Sequence, residues 1–332
     1  MMKLGGQCIL RACLMSELFM DDEVLLWILF SIFVGVCLAI DLGVFSRFSR
    51  KKEPDQSTMK IALSWTMVWI SLAGIFAGII YFDMGHEKLV EFVTGYALEK
   101  SLSVDNMFVF LLIFTSLGIP HKFQHRVLSM GILGAIALRV PLILAGVSLL
   151  ESFEWMIYIF GAFLIFTSLR MLVQRKEKKI EIEKNIAVRS LKRLMPVDTE
   201  LHGTKFFLIK EGVRYATPLL VALIIIEFTD LLFALDSIPA VLAITTDPFI
   251  VITSNIFAIL GLRSLYFLLA GVMEKFYYLK PGLIAILLFI GIKMILSETV
   301  EIPTVLSLVV VLGILAIALA FSFVKTRKLK SE

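Results

Sequence analysis

Long apolar runs alternate with short polar ones along nearly the whole chain. Nine apolar stretches stand out, at about 24–45, 61–82, 88–117, 126–150, 155–174, 216–245, 249–272, 281–297 and 303–324. Each is near the roughly 20 residues that a helix needs to cross a bilayer core. The pattern predicts an all-α polytopic membrane protein with about nine transmembrane helices. The third and sixth stretches are longer than a simple crossing requires, which predicts tilt, a break or both.

Composition agrees, since 59% of the 332 residues are hydrophobic, above the usual share for soluble domains. The net charge of +4 says less than its placement. Segments 46–60, 118–126, 175–215, 274–280 and 325–332 hold 24 of the 32 Lys and Arg residues, and the alternate segments hold only Lys3, Arg11 and Lys88. Basic loops stay in the cytoplasm, so the N-terminus is expected outside and the C-terminus inside. Arg11 interrupts any apolar run near the start, which argues against a cleaved signal peptide. Cys8, Cys13 and Cys37 show no metal or redox spacing. Segment 175–215 reads as a solvated helix or linker, and 325–332 as a basic topology anchor.

One short polar pattern recurs inside these apolar stretches. Glu99-Lys-Ser-Leu-Ser-Val-Asp105-Asn106 and Asp230-Leu-Leu-Phe-Ala-Leu-Asp236-Ser237 each place an acid, five residues, a second acid and a small oxygen carrier. Further landmarks follow each copy in the same order. Leu138-Arg139 and Ala145-Gly-Val147 match Leu262-Arg263 and Ala270-Gly-Val272, and Arg170-Met171 matches Lys293-Met294. The chain therefore divides into an extracytoplasmic tail (1–23), two helices (24–87), a three-helix unit (88–174), a cytoplasmic loop (175–215), a second three-helix unit (216–297) and a last helix with a tail (298–332). The loop charges make the two units inverted, a recurring plan in transporters with a site at the bilayer midplane.

A carboxylate at the bilayer centre costs roughly 2.5–3.5 kcal/mol on insertion scales. Four of them need compensation, and a bound cation supplies it. The candidate ligands are Glu99, Asp105, Asp230 and Asp236, with Asn106 and Ser237 as neutral oxygen donors. Such oxygen-only sets suit magnesium, calcium or manganese. On a continuous helix Glu99, Ser103 and Asn106 share a face, as do Glu227, Asp230 and Ser237. Asp105 and Asp236 fall off those faces, so convergence requires unwinding, which Pro239 favours in the second copy. Glu227 is an accessory candidate. Asp41, near the inner end of the first span, fits a structural role, such as pairing with Arg47, better than an ion exit. Arg139 and Arg263 are candidate counter-charges for the empty site. A purely structural account pairs the acids with Lys100, Arg139, Arg263 or Lys293. Catalytic residues are not expected. Intramembrane aspartyl protease chemistry is disfavoured because Tyr-Asp and Gly-x-Gly-Asp are absent.

At these residues the chain resembles the TerC family of tellurium-resistance and Alx-type integral membrane proteins. The resemblance rests on Glu99–Asn106, Ala216-Thr-Pro-Leu219, Glu227–Ala240, Asp247-Pro-Phe-Ile-Val251, Thr253–Phe267, Gly291-Ile-Lys-Met294 and Ala39-Ile-Asp41-Leu-Gly-Val-Phe45, with Met195-Pro-Val197 and His202–Phe207 in the loop. It covers roughly residues 25–325. It implies a bacterial inner-membrane protein related to LysE-type exporters, manganese(II) efflux and a looser link to tellurite. Manganese is then a transported substrate and no prosthetic group is expected. The expected partners are the divalent ion and the lipid bilayer, not nucleic acid, and the sequence leaves room for a homo-oligomer. Proton exchange is the expected coupling. A membrane scaffold, assembly or tellurite-stress protein without transport activity is the rival reading.

Overall fold

A computed structural model describes residues 24–41, 56–153, 155–173, 186–198, 200–270, 278–297, 299–300 and 302–329. The chain divides into two compact units, 1–45 and 46–332. Of the first unit, helix α1 (Val24–Asp41) is described, and Asp41 ends it as a buried residue.

The second unit is built from α2 (Gln56–Ser116), α3 (His121–Ser152), α4 (Met156–Val173), α5 (Ile186–Leu194), strands β1 (Phe207–Lys210) and β2 (Val213–Ala216), α6 (Pro218–Leu242), α7 (Pro248–Ile259), α8 (Leu262–Ala270), α9 (Leu279–Ile295) and α10 (Thr304–Leu329). Among the described residues six helices are long and apolar enough to cross a membrane, or seven if α7 and α8 form one bent span. The protein is thus a mostly helical polytopic membrane protein. Segment 175–215, expected to be a helix or linker, also holds an antiparallel hairpin that pairs Phe207 with Ala216 and Lys210 with Val213. Gly212 at φ 79° and Glu211 at φ 52° make its turn, where glycine relieves the steric cost of positive φ.

Local chemistry sets the helix ends. Pro248 opens α7 at a position where its missing N–H is no loss, and Asp247 caps the helix by accepting from the Phe249 and Ile250 amides at 3.0 and 3.4 Å. Pro218 opens α6 in the same way.

The breaks fall at glycines. Gly85, at φ 90°, divides α2 into two arms. Gly261, at φ 81°, separates α7 from α8 with a bend of 40°. A side chain at Gly261 would overlap the Trp69 ring, so the bend is held against the first arm of α2. The expected unwinding before Pro239 is absent, and α6 runs through it to Leu242. Pro239 lacks the N–H that would bond the Leu235 carbonyl one turn back, yet the helix continues, and the Pro239 carbonyl accepts from Ala243 at 3.0 Å.

Small residues let helices approach closely. A Cβ on Gly161 of α4 would lie 3.0 Å from the Gly291 carbonyl of α9, and one on Gly291 would lie 2.9 Å from the Gly161 carbonyl. Close backbone contact of this sort is how helices associate in lipid. Leu98, Leu164, Ala240, Ile286, Ile290 and Met294 fill a core beside this crossing.

Candidate polar site between the acidic helices

Glu99 lies on the second arm of α2, Asp230 in the middle of α6 and Arg139 on α3. All three are buried. Arg139 Nε donates to Asp230 Oδ2 at 3.1 Å and Nη2 to Asp230 Oδ1 at 2.9 Å, a two-pronged pair. Its Nη1 donates to Glu99 Oε1 and, at 3.3 Å, to Asn255 Oδ1 of α7. One guanidinium thus joins the first acid of each motif copy. Asn255 is held by its own amide, which donates to the Val251 carbonyl at 3.1 Å. Glu99 Oε2 is out of solvent and has no hydrogen-bond partner among the described residues.

The other candidates are placed differently. Asp236 points toward α4, is half-buried, and accepts from Thr167 Oγ1 at 3.2 Å. Continuous helix explains this, because six residues of helix turn Asp236 away from Asp230. The Asp105 backbone is helical, but its side chain lies outside the described residues. Asn106 and Ser237 are both buried, and Ser237 Oγ has no hydrogen-bond partner among the described residues. Ser103 donates to the Glu99 carbonyl of its own helix. Arg263 donates from Nη1 to Ser129 Oγ. It also lines a cavity of about 20 Å³ with Asp230, Met107, Gly131 and Ala135, close to the size of one water. Asp41 belongs to the 1–45 unit.

Glu227 sits one turn before Asp230 on the same face. Its carboxyl lies over the backbone of α3, where a methyl group at Gly134 would overlap it. Its Oε2 is out of solvent and, among the described residues, without a hydrogen-bond partner. Lys100, adjacent to Glu99, donates to the Ala258 and Leu260 carbonyls at 3.1 and 3.4 Å. It satisfies carbonyls that the end of α7 leaves open.

Sequence reasoning missed Asn255 and the Gly134–Glu227 contact. Thr253-Ser-Asn255 inside an apolar stretch was a usable signal for the first. The second is a contact between distant segments and has no local signature.

Among the described residues no group of three or more His, Cys, Asp or Glu side chains is arranged to hold a metal. The convergent oxygens are those of Glu99, Asp230 and Asn255, and a cationic side chain occupies their centre. With both acids ionised the group carries one excess negative charge. The arrangement holds one positive side chain among carboxylate and amide oxygens in an apolar interior.

The sequence profile of the integral membrane protein TerC family matches residues 84–330. The chain is 49% identical over 302 residues to an uncharacterized membrane protein of Myxococcus xanthus, STKORF319, covering 91% of this chain and 93% of that one. It is 45% identical to the Alx protein of Salmonella typhi, named as a proposed membrane-bound redox modulator, over 90% of this chain and 94% of the relative. The Escherichia coli K12 protein of the same name is also 45% identical, over 88% and 92%. No solved structure matches. The match over most of the chain, on the residues that build this polar site, makes the protein a member of the TerC family of integral membrane proteins.

Proposed function

We propose that this protein exports manganese(II) across the bacterial inner membrane by alternating access, in exchange for protons. The observation that carries the reading is the meeting of Glu99 and Asp230 on one cationic group inside apolar helices. Two carboxylates from different helices, buried and oxygen-only, suit a hard divalent ion. The resemblance supplies manganese; the oxygen chemistry alone does not choose among hard ions. Asp105, Asp236, Asn106 and Ser237 are proposed to join the ion's path as the helices shift between inward- and outward-open forms. Protons compete with the ion for the same carboxylates, which makes proton exchange a direct coupling.

Helix pairing supports nine crossings with two inverted units. Dividing α2 at Gly85 and counting α7 with α8 as one span gives eight segments, and the 17-residue apolar α9 makes the ninth. The first helix of unit one, the second arm of α2, then meets α7 of unit two at Gly95–Ser254 and Phe92–Phe257, while α3 packs on α6 and α4 on α9: first on second, second on first, third on third. A two-fold axis in the membrane plane produces that exchange. Sidedness supports it as well. Arg126, before α3 enters the core, donates to Thr204 of the 175–215 loop at 3.3 Å. At the other end, Lys88 pairs with Asp247 at 3.0 Å. The positive-inside rule puts the first pair in the cytoplasm and the second outside.

The test is manganese efflux from cells or vesicles with Glu99→Gln and Asp230→Asn, with membrane insertion checked by blotting. Each variant is expected to lose export while remaining in the membrane. Normal efflux from both favours the scaffold reading.

A further inference from the structure

We propose that Glu227 is a second berth for the Arg139 guanidinium. A cation that takes Glu99 and Asp230 displaces the arginine, and the arginine turns to Glu227. This rests on the transport reading and adds to it where the displaced charge goes.

The starting point is a conflict. Arg139 occupies the center of the only described set of convergent oxygens between the two motif copies, with bonds to Glu99, Asp230 and Asn255. A divalent ion cannot share those oxygens with a guanidinium at hydrogen-bond distance. The arginine must leave, and an arginine without an anionic partner inside a membrane is costly. It therefore needs another carboxylate within side-chain reach.

Glu227 meets that need on three independent grounds. Its Oε2 is out of solvent with no hydrogen-bond partner among the described residues, and such an atom is expensive to leave unmatched. It precedes Asp230 by three residues, so it lies one turn away on the same helix face. Its carboxyl rests on α3, the helix that carries Arg139, over Gly131 and Gly134.

Direction also agrees. Gly131 touches Ile226, Arg139 binds Asp230, and Gly146 faces Ile238 and Leu242. Residue numbers rise together, so α3 and α6 run parallel. Helical side chains lean toward the N-terminus of their helix. Arg139 therefore leans back toward Gly134, which is the side on which Glu227 lies.

The exchange balances the charges once the ion is bound. With the site empty, Arg139 faces Glu99 and Asp230 together, one negative charge in excess. With the site loaded, the ion offsets those two and Arg139 offsets Glu227. The glycines at 131 and 134 hold the berth open, because any side chain at 134 would occupy it.

A double-mutant cycle on purified full-length protein, read as Mn²⁺ affinity by titration calorimetry, tests the berth. Glu227→Gln is expected to weaken Mn²⁺ binding about tenfold or more in the presence of Arg139. In an Arg139→Gln background, which has no arginine to relocate, the same change is expected to alter affinity by less than about twofold. An equal loss in both backgrounds makes Glu227 a direct ligand and overturns the berth. No loss beside Arg139 overturns it too. A second measurement needs only the isosteric Glu227→Gln change. With ¹³C-labelled glutamate carboxyls, the electron–nuclear couplings of bound Mn²⁺ should be the same with and without Glu227. A coupling lost in the variant overturns the berth and leaves transport standing. Wild-type protein that binds no Mn²⁺ overturns the transport reading and the berth together.

Discussion

Asp230 and Asp198 are the same residue with similar hydrogen bonds in opposite settings. Asp230 accepts two bonds from Arg139 at 2.9 and 3.1 Å, and both side chains are less than a tenth exposed. Asp198, in the loop before β1, accepts from Lys210 at 2.5 Å, with the His202 ring at 3.1 Å and the Glu200 amide at 3.1 Å. The Lys210 side chain is about half exposed. Distances alone would rank the Asp198 cluster at least equal. Environment reverses the ranking. Exposed pairs are screened and lose rotamer freedom, so they contribute little. A buried pair contributes little by existing, but breaking it strands a charge. The contrast teaches that Arg139 is held in place by the cost of its absence.

The largest expected effect follows from removing that partner. Arg139→Met leaves Glu99 and Asp230 buried side by side with no cation, and should destabilise the protein by about 3–5 kcal/mol. Thermal unfolding in detergent reads this, and added Mn²⁺ should restore part of the loss if the ion binds the same oxygens. Lys210→Met, the matching change at Asp198, should leave the unfolding temperature nearly unchanged. Equal effects at the two sites would erase the comparison.

A smaller effect is expected at the contact beside Asp230. Gly134→Ala puts a methyl group into the Glu227 carboxyl. Overpacking of this kind costs typically about 1–3 kcal/mol. Adding the same methyl at Gly203, which faces open space but has φ 61°, tests backbone strain instead of crowding. If Gly134→Ala is silent in unfolding assays, the notch over Glu227 is looser than the geometry indicates.

Much of the fold was legible in the chain. The stretch expected at 155–174 is α4 at Met156–Val173, and the one at 216–245 is α6 at Pro218–Leu242. Hydrophobic length carries that information because lipid tolerates few alternatives to helix. The bend was not legible. Proline drew attention to residue 239, yet the chain breaks at Gly261, where Trp69 from a distant helix fixes the approach. The site was half legible. An arginine in an apolar stretch predicts a carboxylate partner, but not that Arg139 would join Glu99 and Asp230 through one guanidinium. That depends on how α2, α3 and α6 pack, and Asn255 joins through a fourth helix. The hairpin at 207–216 hid in a charged loop because two four-residue strands leave almost no periodic signal.

The smallest effect belongs to Asp198, and it has a defined pH window. The hydrogen bond from Lys210, first among several contributions that include the Glu200 amide, holds the carboxyl at about 2, below its usual 3.8. A depressed carboxylate stabilises the fold above its unfolded value and loses that contribution as pH falls toward the folded value. The window is therefore about pH 4 down to about 2. Amide exchange of β1 and β2, followed by mass spectrometry, should slow less as pH falls through that window than the intrinsic, hydroxide-catalysed rate does. Asp198→Asn should remove the extra dependence and leave exchange in α6 unchanged. Raising salt should shrink the effect, because the Lys210 end of the pair is about half exposed although Asp198 is 9% exposed. The Arg139 pair, out of reach of ions in solution, should show no such salt response, and a salt-sensitive Arg139 would break the contrast between the two aspartates.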